Sequence, residues 1–143
     1  MSSKLYEDLC RIVGTDAVFC DEPMSRHTTF RTGGPAEILV TPDSESLPEV
    51  IVCCRKHQIP CLVIGNGSNL VCGDGGVEGV VVEIGKRMSG ISVDGDLITA
   101  QAGALLSGIA AKAAAEGLTG FEFAAGIPGS IGGAVVKSEA KRS

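Results

Sequence analysis

The sequence predicts an α+β fold of two small lobes, on three observations. A strand–helix–strand pattern occupies residues 35–64, a two-residue hairpin signal lies within 91–100, and two glycine-rich loops stand about sixty residues apart. A strand–helix–strand unit sets its two strands parallel, with a right-handed crossover expected. A hairpin further along starts a separate antiparallel element, so the two kinds of sheet are segregated along the chain.

Taken in order, Ser3 to Val13 carries Leu5, Leu9, Ile12 and Val13 at helical spacing, with Gly14 as a stop. The stretch from His27 to Gly34 is alternating and β-branched before a glycine pair, and Ala36 to Val40 reads as a strand ended by Pro42. A helix from Ser44 or Ser46 to about His57 is predicted by a serine cap, by Pro48 in the first turn, and by Val50, Ile51, Cys53 and Cys54 near one face. Ile59-Pro60 ends that helix, and Cys61 to Ile64 is the next strand. Leu70-Val71-Cys72 resumes an extended course, Gly73-Asp74-Gly75-Gly76 turns, and Gly79 to Ile84 is the strongest strand signal in the chain. Ile91-Ser92-Val93 and Leu97 to Ala100 flank Asp94-Gly95, a hairpin signal at which the second lobe begins. Leu105 to Glu116 is an alanine-rich helix stopped by Gly117, and Ala134-Val135-Val136 reads as a strand start.

The chain is organised around Gly65-Asn66-Gly67-Ser68-Asn69, which follows the apolar strand Cys61–Ile64. Alternating glycines let backbone amides approach a ligand, and successive N–H groups in such a turn suit a phosphate or pyrophosphate. Asn66, Ser68 and Asn69 add donors at the rim. Each hydrogen bond to a charged oxygen contributes about 1.5–3 kcal/mol, so a few would hold a dinucleotide without a lysine. The second loop, Gly126-Ile127-Pro128-Gly129-Ser130-Ile131-Gly132-Gly133, has four glycines in eight residues. That composition is costly in chain entropy unless backbone must lie against something. The plain readings are a tight turn between strands for the first loop and close backbone packing for the second. Leu70 stands where the dinucleotide fingerprint has its third glycine, and no helix opens there, which argues against a Rossmann fold; no Gly-Lys-Ser/Thr is present for a Walker loop.

Other polar residues carry less. Arg31 could meet a phosphate but reads as a solvated or structural charge, and His27, with no carboxylate near in sequence, reads as a hydrogen-bonding anchor. His57 reads as a cation at a helix C-terminus, while Asp74 and Glu83 show no pairing that makes an acid–base couple. At 143 residues the chain can bury a core, which must be aliphatic because its aromatics are only Tyr6 and four Phe. A net charge of −5 with no basic stripe argues against nucleic acid as a partner. No apolar run approaches a membrane span and the N-terminus has no signal-peptide core, so the expectation is a cytoplasmic protein with no membrane contact. The six cysteines, Cys10, Cys20, Cys53, Cys54, Cys61 and Cys72, form no C-x-x-C pair; they are expected to be reduced, structural thiols, and no metal site is predicted.

Four stretches together resemble the UDP-N-acetylenolpyruvoylglucosamine reductase (UDP-N-acetylmuramate dehydrogenase) family of flavoenzymes. They are His27 to Ala36, Gly65 to Val71, Gly117 to Phe123 and Gly126 to Ala134, and their order and spacing match over roughly residues 20–136. The resemblance implies a two-lobed α+β FAD-binding domain of the vanillyl-alcohol-oxidase (p-cresol methylhydroxylase) type, with FAD between the lobes. The implied partition is an N-terminal helix (1–20), a first FAD-binding lobe (21–88), a second, truncated one (89–136) and a divergent tail (137–143). It also implies that Gly65, Asn66, Gly67, Ser68, Asn69 and Leu70 hold the pyrophosphate. Gly126, Ile127, Pro128, Gly129, Ser130, Gly132 and Gly133 would then lie along the pyrophosphate, ribityl and isoalloxazine side.

The activity implied is reduction of the enolpyruvyl group of a UDP-sugar to UDP-N-acetylmuramate for peptidoglycan, with NADPH as hydride donor through FAD. A serine proton donor and a stabilising arginine and glutamate belong to that pattern. After Val136 the family continues with Met-Asn-Ala-Gly, whereas this chain reads Lys137-Ser138-Glu139-Ala140-Lys141-Arg142-Ser143. Those three catalytic residues lie beyond the matching part, so no catalytic residue is assigned, the second lobe is expected to be incomplete, and turnover by this chain alone is not expected. The short second lobe leaves a strand edge open, which implies a monomer or an edge-paired dimer. Two other readings remain: a non-catalytic nucleotide-binding module completed by a partner chain, and an inert remnant whose loops are turns only.

Overall fold

A computed structural model of the chain describes residues 3–28, 31, 33–65 and 73–135. Helix α1 (Ser3–Val13) leads into strand β1 (Val18–Pro23), followed by β2 (Pro35–Val40), α2 (Leu47–Lys56), β3 (Cys61–Ile64) and β4 (Val77–Glu83). The hairpin β5 (Ile91–Asp94) and β6 (Leu97–Ala100) and the helix α3 (Leu106–Ala115) follow, with short 3-10 turns between several of them and a helical stretch at 131–135.

The first lobe is a four-stranded sheet in the order β1-β2-β4-β3. β1 runs antiparallel to β2, while β2 and β3 are both parallel to β4, in register Ile38↔Val80 and Cys61↔Val80. The strands flanking α2 are thus parallel, as expected, but they are not neighbours. β4 lies between them because Val80, Val81 and Val82 need cover on both faces, and all three are fully buried. Cys61, Leu62 and Val63 are exposed, as an edge strand tolerates.

One face of this sheet packs Ile38, Val40, Val80 and Val82 against Leu5 and Leu9 of α1 and Val50, Cys53 and Cys54 of α2. The other face gathers Met24, Ala36, Leu39, Ile64 and Val81. At roughly 1.5–3 kcal/mol for each fully buried aliphatic side chain, this aliphatic layer is the main source of stability. A Cβ on Gly34 would stand 2.0 Å from the Asp74 carbonyl oxygen, and one on Gly76 2.0 Å from that of Pro35. The starts of β2 and β4 are therefore pressed backbone to backbone, which the glycine pair at 33–34 and the turn at 73–76 permit.

Four local expectations are revised. Ser46 stands at the N-cap position of α2, as expected, but its side chain does not cap the helix and Asp43 supplies the charged acceptor: the Asp43 carboxylate accepts the Ser46 N–H at 2.8 Å, Ser46 Oγ accepts the Asp43 N–H at 3.1 Å, and Leu47 N–H donates to the Asp43 carbonyl. This reciprocal box satisfies donors at the helix start with a charged acceptor. The hairpin turns at Gly95-Asp96, one residue later than predicted, since Asp94 pairs with Leu97 and Gly95 takes φ 61°. Residues 131–135 are helical, not the start of a strand, because Ile131 and Ala134 pack three apart against Leu106, Ala110 and Ala124; tertiary packing overrides the β-propensity of Val135. Val136 lies outside the described residues, as do Leu70-Val71-Cys72. Finally, Cys53 and Cys54 are buried gap-fillers but Cys20 and Cys61 are exposed. Burial, with Cys61 alongside, pushes the Cys54 thiol up to about 12, so it stays protonated and unreactive at neutral pH.

Candidate cofactor-binding site

β3 ends at Ile64, whose carbonyl accepts the Ile84 N–H at 2.9 Å, and Gly65 emerges from the carboxyl end of this parallel strand. Ligands of α/β sheets bind outside that end of the strands. The second loop is folded on a separate frame. Ser130 bridges Leu105 antiparallel, Leu106 N–H donates to the Gly129 carbonyl at 3.0 Å, and Ile131 and Gly132 donate to the carbonyls of Ala104 and Ala102 at 2.9 Å each.

The two loops meet. A Cβ on Gly65 would stand 2.7 Å from Ser130 Oγ, which is 3% exposed. That hydroxyl accepts the Gly133 N–H at 3.3 Å, so Gly65, Ser130 and Gly133 form one contact between the lobes. Close approach of this kind is what the first glycine of the first loop provides. Asn66, Gly67, Ser68, Asn69 and Leu70 lie outside the described residues.

Within the second loop the glycines divide by cause. Gly132 lies against Ala102, where a Cβ would come within 2.9 Å, so close backbone packing accounts for it. Gly129 has φ 121°, a backbone conformation that favours glycine. Gly126 has neither reason: its φ is not positive, and among the described residues no atom beyond its chain neighbours lies within 4 Å of where its Cβ would be. The exposed Ile127 and Pro128 follow it in sequence, and Phe123, three residues before it, is 69% exposed.

Most amides of the loop are already engaged in its own fold. Ile127 N–H donates to the Ala124 carbonyl, and those of Ile131, Gly132 and Gly133 have the acceptors named above. The Gly129 and Ser130 N–H groups have no hydrogen-bond partner among the described residues. An unpaired amide beside a buried hydroxyl is a donor waiting for an acceptor. The cradle is therefore narrower than the glycine count implies, and its anchors, the carbonyls of Ala102 and Ala104 and the bridge residue Leu105, carry no sequence signal.

The other polar residues are structural. His27 Nδ1 lies 2.5 Å from Glu83 Oε2 and its Nε2 lies 3.0 Å from Glu22 Oε1, so the anchor role holds, with carboxylates supplied by β1 and β4. His57 closes α2 and also reaches Asp8 of α1, Nε2 to Oδ2 at 2.8 Å. Arg31 is exposed, and Asp74 sits in the turn before β4.

Residues 35–140 match the family model described as FAD binding domain. The UDP-N-acetylenolpyruvoylglucosamine reductase of Lachnoclostridium phytofermentans is 48% identical over 140 residues, covering 94% of this chain and 45% of that protein. The crystal structure of UDP-N-acetylenolpyruvylglucosamine reductase from Thermus caldophilus superposes with a TM-score of 0.61 at 36% identity, over 79% of this chain and 39% of that one. p-Cresol methylhydroxylase with substrate bound superposes with a TM-score of 0.65 over 81% of this chain and 25% of that one, and at 19% identity it shows the shared fold alone. The chain spans less than half the length of these relatives. It is thus a partial α+β domain of the p-cresol methylhydroxylase type. The chain belongs to the FAD binding domain family, and its relatives within that family are UDP-N-acetylenolpyruvoylglucosamine reductases.

Proposed function

We propose that this chain is the FAD-binding part of an NADPH-dependent cytoplasmic reductase that converts UDP-N-acetylglucosamine enolpyruvate to UDP-N-acetylmuramate in peptidoglycan synthesis. The observation that carries the reading is Gly126, a glycine with open space at its Cβ position and no positive φ, beside the unpaired amides of Gly129 and Ser130. These features fit a ligand that needs backbone access and anionic oxygens that accept from amides.

When bound, FAD supplies the redox chemistry that no side chain offers. The chain's own part is to hold and orient. Gly129 and Ser130 would donate to pyrophosphate oxygens, Gly65 allows the close approach to Ser130, and Gly65 to Leu70 would hold the same group. Gly126, Ile127 and Pro128 give an apolar, sterically open wall, and Gly132 and Gly133 set the loop's path. The lobes divide at 88/89, with 1–20 as a leading helix and 137–143 as a tail. The proton donor and the substrate-binding residues are assigned to no residue of this chain, so turnover requires further polypeptide.

The test is FAD titration of the folded chain, followed by flavin fluorescence and thermal midpoint. FAD should raise the midpoint by mass action. Gly126→Ala should leave the ligand-free midpoint unchanged and weaken FAD binding about tenfold, equivalent to about 1.4 kcal/mol. Unchanged affinity in that variant, or no binding by the wild type, removes the basis of the reading.

The exposed edge strand β3 favours a second reading, a nucleotide-binding module whose sheet is completed by another chain. Light scattering on Val63→Lys separates the two, since a monomeric variant that still binds FAD supports the first alone.

A further inference from the structure

In the helical layer on one face of the sheet, Asp8 of α1, Cys53 of α2 and His57 at the C-cap of α2 converge, with a carboxylate oxygen, Sγ and an imidazole nitrogen all within 4.8 Å of one another. Cys53 and His57 are four apart, hence on one face of α2, and α1 packs across that face. We propose that these three side chains form a zinc site that staples α1 to α2.

The donor set is a thiolate, an imidazole and a carboxylate, which as a group select a tetrahedral, borderline-soft ion and not magnesium or calcium. Thiolate and carboxylate together neutralise the charge of Zn²⁺. In a tetrahedral site, donors at about 2.0–2.3 Å from the ion stand roughly 3.3–3.8 Å apart. Asp8 Oδ2 and His57 Nε2, 2.8 Å apart in their hydrogen bond, need only open slightly, and Cys53 Sγ lies within 4.8 Å of the other donor atoms, at most about an ångström beyond tetrahedral spacing. Arg11 holds the other Asp8 oxygen, so the carboxylate offers one oxygen and is already oriented. Cys53 is 7% exposed and Asp8 and His57 are partly buried, which limits water on the ion. Asp8 and Cys53 also line a cleft of about 350 Å³ between the helices, shared with Glu49, from which water completes the fourth position. Binding releases the Cys53 thiol proton to solvent. Asp8 lies outside the stretch matched by the FAD binding domain model, and the site is separate from the glycine loops.

The test uses Zn²⁺ and Co²⁺ on the whole 143-residue chain, reduced and freed of metal. One equivalent of Co²⁺ should give a thiolate-to-cobalt charge-transfer band with tetrahedral ligand-field absorption, displaced by Zn²⁺, and Zn²⁺ should raise the thermal midpoint. Cys53→Ser should abolish the band, and His57→Gln and Asp8→Asn should each weaken Co²⁺ at least about tenfold, the lower end of losses seen even for outer-shell changes. His57→Gln alters a partly exposed side chain and serves if the buried Cys53→Ser variant does not fold. Absence of the band in the wild type overturns the proposal. So does a band of equal strength and affinity in Cys53→Ser or His57→Gln, which would assign the metal to other thiols such as Cys20 or Cys61.

Discussion

At the scale of single residues, two side chains show what a local environment adds to a residue type. Ser130 has an ordinary hydroxyl, but it is buried, accepts the Gly133 N–H and sits where a Gly65 side chain would go. Gly65→Ala should therefore cost about 1–3 kcal/mol by overpacking. Ser130→Ala should relieve the clash, because its Cβ would lie 3.9 Å from the new methyl. A double-mutant cycle by urea denaturation checks this, and strictly additive effects would show that the loops do not touch. Asp43 is the second case. The Ser46 backbone N–H, then its hydroxyl, with Arg87 adding a favourable charge, hold the Asp43 carboxyl below the usual carboxylate range. A carboxyl depressed on folding contributes stability that is present above its unfolded value, near 4, and is lost as pH falls through the lower folded value. Asp43→Asn should lower the thermal midpoint at pH 7, and the gap from wild type should narrow below about pH 4. A gap that stays constant to pH 2 would assign the cap no charge contribution.

At the scale of elements, residue type only partly specifies a helix end, because a cap is a geometry that several residue types supply. Gly117 ends α3 as predicted: its φ is 73°, its N–H donates to the Ala114 carbonyl, and Leu118 N–H donates to Ala113. The same motif ends α2 without a glycine. Gln58 takes φ 55°, donates to the Arg55 carbonyl, and Ile59 N–H donates to Cys54. An L-residue in this left-handed conformation is strained by about 1–2 kcal/mol, part of which glycine's larger unfolded-state entropy offsets. Gln58→Gly should thus stabilise the chain by about 0.5–1 kcal/mol in denaturant melts, and a destabilised variant would show that the Gln58 side chain supports the turn.

At the scale of the whole molecule, sheet order decides which strand is left at an edge. Leu62 is 41% and Val63 49% exposed on β3, which is an edge strand of the sheet among the described residues. Such an edge pairs with other chains, and a lysine on it discourages pairing. The chain should self-associate with rising concentration in sedimentation, and Val63→Lys should shift it toward monomer; a wild type that is monomeric throughout would show that the edge is protected. No helix among the described residues is long and apolar enough to cross a membrane. The extents of α1, β2, β3 and α3 and the presence of a hairpin were legible in the sequence, as were two glycine loops of unusual composition. Periodicity and turn residues report on how a segment meets its own backbone and one apolar face, and that is a local matter. What only tertiary structure decided is which segments meet: β4 between β2 and β3, the carboxylates of Glu22 and Glu83 on His27, Asp8 against His57, and Gly65 against Ser130. Each is a contact between distant positions or a choice among competing burials, and no spacing along a single segment encodes that choice.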